Sequence, residues 1–129
     1  MTDHELFALA DKARANAYAP YSHYTVGAAL LCASGKVYVG VNVENASFGA
    51  TNCAERTALF SAVAVGERDF AAIAVAGGRQ SEAIGDCTPC GVCRQVLCEL
   101  CPPDFKVILK NGTHTLSELM PLSFTGDAL

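Results

Sequence analysis

Cys53-Ala54-Glu55 and Pro89-Cys90-Gly91-Val92-Cys93 are the stretches that most restrict how this chain can fold. Each falls where the sequence predicts a helix start. Asn52 and Cys53 open a helix that runs to about Val65 and stops at Gly66. Thr88-Pro89, a capping hydroxyl and a proline at the first helical position, opens another that runs to about Leu100, before Pro102-Pro103. If the three cysteines serve one metal ion, two helix N-termini far apart in sequence must meet at one point. The chemistry favours that reading. Three thiols hold a zinc ion and leave its fourth position open, and a carboxylate two residues from one ligand can handle the protons of a water placed there. Helix N-termini also favour thiolate, the metal-binding form, over thiol.

Cys90 and Cys93 lie three apart at a helix start, so they share a face with Cβ atoms about 5–6 Å apart. Tilted side chains bring such sulfurs to the ~3.8 Å that tetrahedral zinc requires. Three thiolates leave the dication with a net negative charge, which makes it a poor acidifier of water. Arg56, on the same helix face as Cys53, is expected to donate to the cysteine sulfurs and restore the electrophilicity of the metal; Arg94 directly follows Cys93. Other readings exist. Glu55 could close a capping box with Asn52, and Cys87 could complete a closed, structural zinc site. Cys87, Cys90 and Cys93, followed by Cys98 and Cys101, are reminiscent of an iron–sulfur run, but four residues separate Cys93 from Cys98 where that pattern wants three, and a helix through 90–100 suits a cluster loop poorly. Cys32, Cys87, Cys98 and Cys101 are expected to be free thiols, and His4, His23 and His114 surface or structural residues.

The rest of the chain reads as alternating α and β. Thr2 with Glu5 forms a capping box for a first helix carrying Leu6, Leu9, Ala10, Ala13 and Ala17, ended by Pro20. Strands are predicted over Tyr24–Leu31 and Val37–Val43, joined by a turn at Ser34-Gly35. In the second, the valines alternate to one side while Asn42 and Glu44 share the other. Phe70–Ala76 is continuously apolar, as in a strand buried on both faces, and Phe105–Leu109 is a further strand. Asn111-Gly112 is read as a turn and Ser117–Leu119 as a short helix. This order predicts an α/β fold, a mixed sheet with helices on both faces, in which ligands collect where helix N-termini meet strand ends.

At 129 residues, with no linker, repeat or low-complexity stretch, the chain reads as a single domain, 1–129. Its formal charge of −4 argues against a nucleic-acid partner and for a small uncharged or cationic substrate. No apolar run is long enough for a membrane, and the acidic N-terminus is unlike a signal peptide. Seven cysteines without an export signal point to a reducing, cytoplasmic setting. Hydrophobic residues make up 51% of the chain, which suits a protomer that hides surface against its own copies.

With these residues in view, the chain resembles the small homotetrameric zinc cytidine deaminases over essentially its whole length, and the paired cysteine motifs match the general signature of the zinc base deaminases. The matching stretches are Pro20-Tyr21-Ser22 with Val26-Gly27-Ala28-Ala29, then Asn42-Val43-Glu44-Asn45-Ala46-Ser47-Phe48, Cys53-Ala54-Glu55-Arg56, Pro89-Cys90-Gly91-Val92-Cys93-Arg94-Gln95, and a degenerate Leu119-Met120-Pro121-Leu122-Ser123-Phe124. The resemblance implies a three-layer α/β/α fold with a mixed five-stranded sheet. It implies one Zn²⁺ per chain on Cys53, Cys90 and Cys93, Asn42 and Glu44 on the ribose, and Tyr24, Ala54 and Phe48 around the substrate. Phe124 is implied to reach into a neighbouring subunit's site within a homotetramer. Tyr24 stands where the family often has Phe, and Phe48 where Tyr is common.

The activity implied is hydrolytic deamination of cytidine and deoxycytidine in pyrimidine salvage. Glu55 would move a proton from the attacking water to N3 of the base and then protonate the departing amine. The rivals are a deaminase of blasticidin-type aminonucleosides, which Asn42 with Glu44 disfavours, and a non-catalytic zinc module.

Overall fold

The computed structural model describes residues 1–129. Strands β1 (Tyr24–Cys32), β2 (Val37–Val41), β3 (Phe70–Arg79), β4 (Lys106–Leu109) and β5 (Gly112–Thr115) form one mixed sheet in the order β2-β1-β3-β4-β5. Only the β3–β4 pair is parallel. Helices α1 (Asp3–Ala13), α2 (Ala54–Ala64), α3 (Gly91–Leu100) and α4 (Leu116–Leu119) complete the fold. This is the three-layer α/β/α arrangement with five strands that the resemblance implies.

The two faces of the sheet are built differently. Ile73 and Val75 of β3 and Ala28 and Leu30 of β1 point to the side of α2 and α3, where they join Leu59, Leu97, Phe105 and Val107 in the larger core. Ala72, Ala74 and Ala76 point the other way, with Ala29, toward Leu6 and Ala10 of α1. Alanine there lets α1 lie close on the sheet. Gly27 marks the tightest approach, since a Cβ at that position would overlap the Ala10 carbonyl oxygen.

Several boundaries differ from the sequence reading, among them β3, which runs on from Ala76 to Arg79. The first helix ends at Ala13 rather than near Pro20, passing through a 3-10 turn at Arg14–Asn16. Tyr18 leaves the helical path because its backbone pairs elsewhere: its N–H donates to Asn42 O at 3.0 Å and its carbonyl accepts from Glu44 N at 2.9 Å. The second strand stops at Val41 instead of Val43. Asn42 ends it by turning its amide onto β1, accepting from Val26 N and donating to Tyr24 O, each at 2.9 Å. The third helix starts at Gly91, so Thr88 and Pro89 precede it and Cys90, not Thr88, is its N-cap. Finally, Gly112–Thr115 is an edge strand antiparallel to β4 that the sequence reading passed over. Its four residues are short and polar, and only the pairing with β4 makes them a strand.

Glycine at position 40 ties the fold to the cysteine motif. A Cβ on Gly40 of β2 would overlap Ala54 O and Ala58 N of α2, so this helix rests on the bare strand backbone. Gly40→Ala is expected to lower folding stability by about 1–3 kcal/mol through overpacking. Urea unfolding of the variant against wild type measures it.

Candidate metal centre and active-site cleft

Cys53 is the N-cap of α2 and Cys90 the N-cap of α3, both in extended backbone and neither making a side-chain cap hydrogen bond. Their side chains are therefore free of the capping role and lie beside the unpaired N–H groups at the two helix starts. Cys93 occupies the third position of α3, which brings it to the same side as its N-cap residue, the geometry that a capping box uses. The three Sγ atoms lie within 4.8 Å of one another, and Cys53 and Cys90 are 3.9 Å apart. That is close to the ~3.8 Å edge of a tetrahedral zinc–thiolate site. Cys87, though near, is not part of this cluster, so the donor set is three sulfurs and an open side.

The surroundings supply the charge balance that three thiolates need. Arg56 Nη2 donates to Cys53 Sγ at 3.2 Å. Burial opposes the charge on Arg56, but its bonds to the Cys53 and Cys93 sulfurs outweigh that and hold it firmly cationic. Its Nε is buried with no partner, an orphaned donor beside the sulfur cluster. Arg94, in contrast, turns away: Nε donates to Pro89 O and Nη1 to Leu119 O, both at 2.8 Å, tying α3 to α4. Cys53 is held well below an ordinary thiol, first by the hydrogen bond from Cys93 and then, against its burial, by Arg56. Cys93, bonded to Cys53 and buried, is pushed far up. The contact thus favours thiolate at Cys53 and thiol at Cys93. Orphaned donor, matched sulfur spacing and a preformed thiolate together fit zinc.

Glu55 is 5% exposed at the second position of α2. Burial pushes its carboxyl up to about 7; its own backbone N–H opposes this and the Cys53 charge adds to it. The capping reading for Glu55 does not hold, because Asn52 donates its amide to Thr57 Oγ1 at 2.9 Å instead.

Glu55, Cys53 and Cys90 border a cavity of about 340 Å³, lined also by Tyr24, Asn42, Glu44, Ala54 and Cys87, while Cys93 is fully buried. The resemblance-implied residues Asn42, Glu44, Tyr24 and Ala54 are thus gathered at one place. Asn42 does double duty there, since its amide also braces β1 to the end of β2. Glu44 Oε1 accepts from Tyr21 N and Ser22 N, each at 3.0 Å, and Oε2 accepts from Ser22 Oγ. Although desolvation works against it, the bonds from Ser22 and Tyr21 hold its carboxyl below the usual range, leaving a fixed anionic acceptor. Ser22, Glu44 and Thr51 also border a second hollow of about 430 Å³, closed by Tyr21 and Phe48, whose rings meet edge to face at 5.9 Å. The two hollows adjoin along Ser22, Glu44 and Thr51, with the sulfurs on one side and the aromatic pair on the other. Phe124 lies elsewhere, 59% exposed, its carbonyl held by Gln95 Nε2 at 2.9 Å. Ser22 entered the sequence reading only within the stretch Pro20-Tyr21-Ser22, with no site role, and Thr51 not at all; a small hydroxyl residue carries no signal until its neighbours are known.

Residues 1–109 match the family model described as the cytidine and deoxycytidylate deaminase zinc-binding region. The chain belongs to this family. It is 52% identical over 121 residues to a cytidine deaminase of Halalkalibacterium halodurans, covering 90% of this chain and 89% of that one. The crystal structure of a cytidine deaminase from Burkholderia pseudomallei superposes with a TM-score of 0.86 at 51% identity, covering 96% of this chain and all of that one. Further off, a blasticidin-S deaminase of Bacillus cereus is 33% identical over 130 residues, covering 95% and 92% of the two chains.

Two outcomes follow from this geometry. Arg56→Gln leaves the thiolates without their cation, so zinc should pass faster to a chelator and turnover should fall. In metal-free protein, Glu55 keeps its proton up to about 7 when folded against an ordinary 4.5, so its contribution to stability is full below pH 4.5 and lost as pH rises through about 7. Cys53 titrates in the opposite sense and is present in both proteins, so the difference between Glu55→Gln and wild type reads the carboxyl together with its coupling to the neighbouring thiols. The variant should gain on wild type in urea midpoint across that window, with chelator present.

Proposed function

We propose that this chain catalyses the hydrolytic deamination of cytidine and 2′-deoxycytidine to uridine and 2′-deoxyuridine, with release of ammonia. The observation that carries the reading is a buried Glu55 beside a three-sulfur cluster at the edge of a nucleoside-sized cavity. Cys53, Cys90 and Cys93 hold one zinc per chain, with Arg56 offsetting their charge. Bound there, zinc supplies Lewis-acid activation of a water at neutral pH.

Glu55 then does the proton work. With its pKa raised by burial to about 7, the carboxylate accepts a proton from the attacking water and, as the acid, delivers it to N3 of the pyrimidine. The water oxygen bonds to C4; Glu55, again a carboxylate, then takes the remaining proton of the new C4 hydroxyl and passes it to the amine as the C4–N4 bond breaks, leaving a C4 carbonyl and ammonia. Tyr24 and Ala54 wall the base, Asn42 and the ionised Glu44 take the ribose hydroxyls, and Phe48 closes the outer end. Neither hollow is lined by Lys, Arg or His, which supports a nucleoside over its phosphate as substrate. An anionic Glu44 held for a hydroxyl also supports an ordinary ribose over an aminonucleoside antibiotic.

The whole chain, 1–129, serves as one domain, and the working assembly is a homotetramer with shared sites. Phe124 and Phe48, both well exposed, support the latter. Seven free cysteines support a reducing, cytoplasmic setting, in keeping with pyrimidine salvage.

Purified protein with about one zinc per chain is expected to release ammonia from cytidine. Glu55→Gln should retain the zinc and lose turnover by about a thousandfold. Near-normal turnover in that variant removes Glu55 from the chemistry, and zinc binding without turnover in wild type returns the chain to the structural-zinc reading.

A further inference from the structure

Arg14 belongs to none of the sequence motifs, yet it is buried at 8% exposure where α1 meets the sheet. Burying a guanidinium is costly unless its donors are matched, and here they are matched mostly by main chain. Nε donates to Thr25 O at 3.2 Å and to Thr25 Oγ1 at 3.3 Å. Nη2 donates to Arg79 O and Glu82 O, both at 3.2 Å, and Nη1 to Asp11 Oδ1 at 3.0 Å.

These acceptors surround one cleft residue. Thr25 follows Tyr24 in β1, and Arg79 is the residue opposite Tyr24 across the β1–β3 ladder. Glu82 lies on the loop that leaves β3 and returns as Asp86, Cys87 and Thr88, of which Cys87 and Thr88 line the cleft. Tyr24 holds the far end of that loop through its hydroxyl, which donates to Asp86 O at 3.4 Å. Gly85 N, donating to Gly77 O at 2.8 Å, pins the middle.

Two adjacent glycines of β3 make the arrangement possible. A Cβ on Gly78 would stand 2.8 Å from both Arg14 Nη2 and Ala83 O. A Cβ on Gly77 would stand 2.7 Å from Cys87 Sγ and 3.0 Å from Tyr24 Cε1. The bare backbone thus admits the guanidinium at one residue and the cleft wall at the next.

We propose that Arg14 is a positioning residue for substrate binding: its fork fixes Tyr24 and the Cys87–Thr88 wall, and so sets affinity for the pyrimidine nucleoside without touching the nucleoside or the metal. The proposal rests on the deaminase reading of the cleft. It distinguishes a fork from a charge. Lysine at position 14 keeps the charge and much of the bulk, but a single ammonium cannot span Thr25 on β1 and Arg79 with Glu82 on the far side.

The test is Arg14→Lys beside Thr25→Val, which keeps the side-chain shape and removes the Oγ1 acceptor. Zinc content, cytidine kinetics and the dissociation constant of uridine by calorimetry are read for each. Arg14→Lys should raise KM and the uridine constant together by about tenfold, with zinc and kcat held within about twofold; Thr25→Val should move the same two constants by less. A folded Arg14→Lys with KM and uridine affinity unchanged overturns the proposal, as does a fall of kcat in step with lost zinc. Should Arg14→Lys fail to fold, Thr25→Val decides alone by the same criteria. A wild-type chain that turns over no cytidine fails the reading of the cleft, and this proposal falls with it.

Discussion

The structure depends on bringing two helix starts to one point. Cys53 and Cys90 are each the residue on which a helix begins, and each leaves its side chain uncommitted to capping. Unpaired N–H groups at both starts favour negative sulfur, and Arg56 adds a full positive charge to one of them. Everything else places these ends. Bare Gly40 seats α2 on β2, the parallel β3–β4 pair requires a crossover that α3 occupies, and the sheet carries both helices on one face.

The same convergence explains why a carboxyl can be kept protonated near neutrality in a small protein. Glu55 follows Cys53 by two residues, so the turn that delivers a sulfur outward delivers the carboxyl into the core side of the cleft. Proximity to a thiolate and loss of water act in the same direction on it. The Glu44 side of the cleft is managed in the opposite way. Glu44 is surrounded by donors, from Tyr21 and Ser22, that keep it ionised. Two carboxyls in one cleft thus differ in state because one faces apolar packing and the other faces N–H and O–H groups.

Much of this was legible beforehand, and the reasons are local. Cys53, Glu55, Cys90 and Cys93 declare themselves by spacing, and Arg56 by its position on the helix. Helix and strand identities followed from periodicity, with β3 visible as an unbroken apolar run. What failed were features set by contact between distant segments. Tyr18 pairs with residues 42 and 44, so the first helix ends early; β5 exists only because β4 lies beside it; α3 begins only at Gly91, which makes Cys90 its cap in place of Thr88. Arg14 was invisible for the same reason. Its partners are carbonyls of residues 25, 79 and 82, and no sequence pattern marks a carbonyl as an acceptor.

The alanine-lined face has a consequence for how the molecule comes apart. On the α1 side, seven buried residues, five of them alanine, hold the helix, against sixteen in the core beneath α2 and α3. Small side chains give close contact but little apolar area, so α1 is the layer held by the weaker hydrophobic force. Warming should loosen it first, as a partial opening that leaves both cysteine-bearing helices docked. Arg14 is carried on the end of that layer. A chain in this half-open condition would still grip its metal while its nucleoside pocket had lost its shape, so on heating, recognition would fail before the metal site does.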